Sequence, residues 1–97
     1  MQAHKIKYVA APAANTVVAT GKAILYRILI GADVATSTIQ VANDPADGQT
    51  DIKLLFTGST LMTANGGCIE VGAIFEKGIS ADITNQTNVT FVWEPVA

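Results

Sequence analysis

At 97 residues, 49% hydrophobic, 14% charged and with a net charge of −2, the chain has room for one domain and one core. A charge fraction this far below the ~25% of ordinary domains leaves two options, a membrane protein or a surface built from Thr, Ser, Asn and Gly. The most apolar stretch, 23–30, contains Arg27 and stops at Gly31, far short of the ~20 residues that span a bilayer as a helix, so the second option stands.

Strand formers dominate: Ile occurs ten times, Val nine and Thr eleven, and these β-branched types fit a pleated sheet better than a helix. In chain order, residues 5–10 alternate with Ile6, Tyr8 and Ala10 in phase, and 16–20 (Val17, Val18) offer a second short strand. Between them Pro12 and a run of small residues suit an extended arm. The next segment, 23–30, places Ile24, Tyr26, Ile28 and Ile30 on one face and Leu25, Arg27 and Leu29 on the other, as a central strand would. Residues 37–43 alternate Ile39 and Val41 with Thr38 and Gln40, and 51–57 alternate Ile52, Leu54 and Phe56 with Lys53 and Leu55. Within 68–75, Gly72 interrupts the alternation and leaves Ile74 and Phe75 consecutive, the mark of a β-bulge. Residues 79–84 and 88–93 complete the series, the last with Val89, Phe91 and Trp93 in phase before Pro95 stops it.

Turn residues separate all of these: Asn43-Asp44-Pro45-Ala46-Asp47-Gly48, Asn65-Gly66-Gly67, Lys77-Gly78 and Asn85 to Asn88 among them. Seven or eight short antiparallel strands with this spacing predict an all-β fold, a single β-sandwich of jelly-roll or immunoglobulin-like connectivity. Residues 1–20 are read as an N-terminal arm with one or two short strands and 21–97 as the sandwich. The N-terminus has Lys5 and Lys7 without a following apolar run, so it reads as lacking a signal peptide, in a soluble chain made in a cytoplasm.

Chemistry-bearing residues are sparse. Nucleic acid is not an expected partner, because the six basic residues are scattered and phosphate binding needs them clustered; no membrane is expected either. Aligned on Gly48, the acidic loop puts Asn43, Asp47 and Asp51 at the first, fifth and ninth positions of an EF-hand. Pro45 then stands at the third position and Leu54 where the bidentate Glu belongs. Asp44, Asp47 and Asp51 are therefore weak metal candidates in a loop whose Pro-x-Asp-Gly is above all turn chemistry, and no cofactor is expected. One cysteine, Cys68, and one histidine, His4, make neither an internal disulfide nor a zinc set.

A nucleophilic site would need His4 to meet Cys68, Ser37, Ser59 or Ser80, and none of these serines lies in a Gly-x-Ser-x-Gly elbow. Glu70, Glu76 and Glu94 read as solvated strand-end carboxylates rather than a glycosidase pair. The aromatics Tyr8, Tyr26, Phe56, Phe75, Phe91 and Trp93 share strand parities with Ile and Val and read as core, with Trp93 also suited to an interface. No catalytic residue is assigned. What remains is a weakly charged β-surface suited to meeting other subunits, with Tyr8, Pro12, Val17 and Trp93 as interface candidates.

The order Gly21-Lys22-Ala23-Ile24-Leu25-Tyr26-Arg27-Ile28-Leu29-Ile30, a Thr-rich strand at 36–41, Thr50-Asp51-Ile52-Lys53-Leu54, Phe75-Glu76-Lys77-Gly78-Ile79 and Asn88-Val89-Thr90-Phe91-Val92-Trp93-Glu94 resembles small β-sandwich virion proteins of tailed bacteriophages. The resemblance covers 21–94 and implies a structural role: a capsid decoration (cement) protein, commonly trimeric, that bridges subunits of the major capsid protein on the capsid surface, or another small head or tail component. It also implies that the N-terminal segment reaches a neighbouring subunit. The competing expectation is a carbohydrate- or receptor-binding module of a spike or fibre. It would be favoured by Tyr8, Tyr26 or Trp93 lying exposed beside Asn or Asp.

Overall fold

The computed structural model describes residues 4–11, 13–30, 37–46, 51–57, 67–85 and 88–96. Among these lie eight strands: β1 (Lys5–Val9), β2 (Ala13–Ala19), β3 (Ala23–Ile30), β4 (Thr38–Ala42), β5 (Ile52–Thr57), β6 (Cys68–Phe75), β7 (Ile79–Thr84) and β8 (Val89–Pro95). They form two four-stranded antiparallel sheets, A in the order β1-β8-β3-β6 and B in the order β2-β7-β4-β5. The chain is thus folded back on itself as nested pairs, β4 with β5, β3 with β6, β2 with β7 and β1 with β8. Every connection except β4 to β5 passes from one sheet to the other. This is the double Greek-key order of a jelly roll, which settles the connectivity that turn spacing leaves open. The segment read as an arm supplies one edge strand to each sheet, β1 along β8 and β2 along β7.

The core lies between the sheets, closed by Leu25, Ile28, Val41, Ile79, Val89 and Phe91, each under 2% exposed. On β4 and β8 the inward residues are those the alternation predicts, Ile39 and Val41, Val89 and Phe91, with Trp93 half-buried against them; β7 adds Ile79, Ala81 and Ile83. β3 departs from prediction. Ala23 and Leu25 point inward at its start and Ile28 at its end, so Ile24 and Tyr26 leave the core face. The register gives the cause: opposite β8, Leu25 pairs with Trp93 and Arg27 with Val92, so Tyr26 is an extra residue and the strand changes face there.

The bulge expected at Gly72 is present. Between Leu25↔Ala73 and Arg27↔Glu70, β6 has one residue more than β3, and Gly72 takes a φ of 62°. Side chains on β6 nonetheless keep their parity through it, with Ile69 and Phe75 buried and Ile74 exposed, so the face change falls on β3 instead. A further break, at Lys53 opposite the Val41/Ala42 step, turns Ile52 out of the face shared by Leu54 and Phe56.

Candidate functional site

The two faces of sheet A differ from a simple apolar-in, polar-out division, and the register shows how. Val9 pairs with Val89 and packs on the core, which fixes the parity of β1: Lys5 and Lys7 share a side with Trp93 and Phe91, and Ile6 and Tyr8 share the opposite, outer side with Val92 and Thr90. Tyr8 is 56% exposed and Ile6 68%, so Tyr8 is not the core residue that its alternation with Ile6 suggests.

Carried across the sheet, the pairing aligns Tyr8, Thr90, Leu29 and Cys68 in one outer row, and Ile6, Val92, Arg27 and Glu70 in the next. Beyond them Glu94, Ile24 and Ile74 form a third. Leu29 is 38% and Ile74 55% exposed. Four strands at about 4.8 Å spacing and at most eight residues at about 3.3 Å give the whole outer face an area of up to roughly 500 Å², over which the exposed apolar side chains are interspersed with Thr90, Arg27, Glu70 and Glu94. Its single ion pair, Arg27 Nε to Glu70 Oε1 at 3.7 Å, is internal to the face.

Local contacts fix the aromatic side chains. The Tyr8 hydroxyl donates to Asn88 Oδ1, and the Asn88 N–H donates to the Ala10 carbonyl at 3.2 Å, tying the end of β1 to the start of β8. Asn88 has a φ of 54°, a left-handed conformation Asn tolerates better than most residues. His4 stacks on Tyr26 with ring centroids 4.3 Å apart. Trp93 is half-buried against the core, and its indole N–H is buried without a hydrogen-bond partner.

The acidic loop after β4 is a closure device. Asn43 is buried and binds both ends of it: its N–H donates to the Asp51 carbonyl at 2.7 Å and its side-chain amide to Asp51 Oδ2 at 3.2 Å. Its Oδ1 also accepts the Lys77 N–H at 2.8 Å, which joins this loop to the β6–β7 turn. Asp44, also buried, accepts the Ala46 N–H at 2.9 Å in an Asx turn around Pro45. The hydrogen bond from Asn43, then that from Lys53 at 3.3 Å, hold the Asp51 carboxyl below its ordinary pKa. Of the three metal candidates, Asp44 and Asp51 are thus engaged in turn contacts, and Asp47 lies outside the described residues.

The remaining candidates are dispersed. Pro12 and Ser59 lie outside the described residues, and Val17 is half-buried on β2 opposite Ser80. Ser37 and Ser80 are buried. Cys68 is half-exposed at the start of β6; partial burial, then its S–H donating to Glu70 Oε1 at 3.6 Å, raises its thiol pKa. Glu76 pairs with Lys22 at 3.5 Å. No three His, Cys, Asp or Glu side chains gather into a metal-holding group among the described residues.

Sheet A therefore presents an outer face that carries exposed apolar side chains and one exposed phenol around the Arg27–Glu70 ion pair. Ile6, Leu29 and Ile74 belong to it and escape a reading that counts every alternating Ile or Leu as core. The signal that finds them is the pair of lysines in β1, which signals an edge position and thus an exposed second face. Comparison with protein families, curated proteins and solved structures finds no match.

Proposed function

We propose that this protein is a non-enzymatic virion structural component: a capsid decoration (cement) protein whose homo-oligomer, with a trimer favoured, lies on the capsid surface and bridges adjacent copies of the major capsid protein. It is made in the host cytoplasm and uses neither cofactor nor metal. The observation that carries this reading is the outer face of sheet A, where Ile6, Tyr8, Leu29 and Ile74 stand exposed on one sheet. Jelly rolls serve capsid proteins, lectins and cupins alike, so the fold alone does not select a role. A broad face that surrounds the Arg27–Glu70 ion pair with exposed Ile6, Tyr8, Leu29 and Ile74 has the mixed apolar and charged make-up of a surface that meets another protein.

The mechanism is linkage. A subunit that binds the assembled shell and not its separated parts opposes dissociation, by about 2.7 kcal/mol per site at a hundredfold excess over Kd. Repetition over the shell lets weak individual contacts suffice. The test is survival of particles on heating, with the protein present, absent, or replaced by Ile6→Lys/Ile74→Lys. Particles carrying the wild type should withstand a higher temperature than the other two. Equal survival, with the protein missing from purified particles, refutes the reading.

One observation favours a second reading, a carbohydrate- or receptor-binding module of a spike or fibre. Tyr8 is exposed and its hydroxyl is held by Asn88, the pairing of a flat ring and a polar amide that sugar stacking uses. Binding to a glycan panel that Tyr8→Ala abolishes, with no effect of the protein on particle survival, would select it.

A further inference from the structure

β1 is seated on the sandwich more lightly than any other edge strand. Its inward positions, Lys5, Lys7 and Val9, lie on the side of Trp93 and Phe91 of β8, and of the three only Val9 packs on the core. Every residue from Lys5 to Tyr8 is exposed. The other edges are held deeper: β2 buries Val18 and Ala19, β6 buries Ile69 and Phe75, and β5 packs Leu54 and Phe56 against the core.

The contacts that tie β1 down lie at its two ends and at the surface. At one end His4 stacks on Tyr26, the extra residue of β3, with ring centroids 4.3 Å apart. At the other end the Tyr8 hydroxyl donates to Asn88 Oδ1 and the Asn88 N–H donates to the Ala10 carbonyl at 3.2 Å. Ala10 and Ala11 beyond it are exposed, and the next buried residue among those described is Val18.

Ordering a strand costs backbone and side-chain entropy residue by residue, and burial of apolar surface is the main term that opposes this cost. One half-buried valine gives β1 little of that term, so the end contacts and the β8 ladder decide whether it stays docked. We infer that β1 is a clipped strap: residues 4–10 open and close together as one unit, hinged at Ala11, while β2 to β8 stay folded.

Opening changes the outer face of sheet A. Ile6 and Tyr8, 68% and 56% exposed, ride on the strap, whereas Leu29 and Ile74 stay on β3 and β6. The open form therefore keeps only part of that face and bares the edge of β8 from Val89 to Trp93. A partner that needs the whole face binds the closed form alone, so its apparent affinity is scaled by the fraction of closed chains, and its binding in turn holds the strap shut. The opening itself belongs to the free chain and holds whether or not the virion reading does.

The experiment is hydrogen exchange of the purified full chain, followed amide by amide by NMR at several urea concentrations below the unfolding transition. The β1 amides that bond to β8 should exchange at least about 100-fold faster than the slowest amides of β3, β4 and β7. They should share one opening constant that rises with urea, because a unit that opens exposes surface. Ile39→Val, on β4 in the other sheet, should speed the slowest core amides about 2–10-fold and leave β1 unchanged, since the open strap keeps the core contacts intact. Tyr8→Phe removes the hydroxyl clip and should speed β1 about 2–10-fold. Protection of β1 equal to that of the core, or β1 and the core speeding together in Ile39→Val, overturns the inference, because β1 then opens only when the whole domain unfolds. Exchange graded from Lys5 to Val9 without urea dependence overturns it as well, being the fraying of a chain end, and so does a Tyr8→Phe variant whose β1 amides keep the parent rates.

Discussion

Replacing Gly78 by alanine tests how the sandwich holds its loops. Gly78 has a φ of 154°, a conformation close to glycine-only, and it lies where the β6–β7 turn presses on two other segments. A Cβ there would lie 2.6 Å from the Pro45 Cα, 2.7 Å from the Ala19 carbonyl oxygen and 2.9 Å from the Pro45 nitrogen. All three are backbone atoms, so no side-chain rotation relieves the clash. The backbone conformation costs an alanine about 1–3 kcal/mol and the overpacking about 1–3 kcal/mol more, so a loss of about 2–6 kcal/mol is expected. A domain of this size holds about 5–15 kcal/mol in total, and each kcal/mol moves Tm by about 4–8 °C, so the variant should melt at least about 8 °C lower.

Two other glycines calibrate the scale. Gly72 has a φ of 62° with nothing within 4 Å of a built Cβ, so Gly72→Ala should cost only the left-handed backbone, about 1–2 kcal/mol. Gly21 has neither crowding nor a left-handed φ, and Gly21→Ala should be neutral or stabilising by about 0.4–1 kcal/mol. Trp93, the single tryptophan, is half-buried against the core and reports unfolding by its fluorescence in urea. If Gly78→Ala unfolds within about 1 kcal/mol of Gly21→Ala, the packing of the β6–β7 turn against Pro45 is wrong.

Asn43→Ala removes the side chain that ties the loop to the β6–β7 turn, and leaving the Lys77 N–H without its acceptor should cost about 1–3 kcal/mol by urea unfolding. The depressed pKa of Asp51 contributes stability that is present above the carboxylate's unfolded pKa, near 4, and is lost as pH falls through the lower folded value. Wild type should therefore exceed Asp51→Asn in Tm at neutral pH, and the gap should close as melts are taken below about pH 4; a gap that widens on acidification refutes the assignment. The raised thiol pKa of Cys68 predicts alkylation by iodoacetamide more slowly than a free thiol at pH 8, together with an unchanged Tm for Cys68→Ser. Alkylation as fast as a free thiol would contradict the burial and Glu70 contact described above.

All eight strands were legible in the sequence within a few residues of their bounds, because β-branched alternation and Asn, Gly and Pro punctuation are local signals. So was the bulge, since a glycine between Val71 and Ala73 in an apolar run has few other uses. Connectivity was not legible: a turn such as Asn85 to Asn88 reads the same whether the chain stays in one sheet or crosses to the other. Only the nested pairing of the folded chain decides for the jelly roll. Face assignment failed where neighbours set the register. Tyr26 is an extra residue only relative to β8, and Ile6 and Tyr8 turn outward only because Val9 meets Val89. The sequence by itself determined the number and place of the strands and the lack of charge on them. Which apolar side chains close the core and which remain on the surface, as Ile6, Leu55 and Ile74 do, was decided by the tertiary structure, because a one-residue change in pairing exchanges the two faces of a strand.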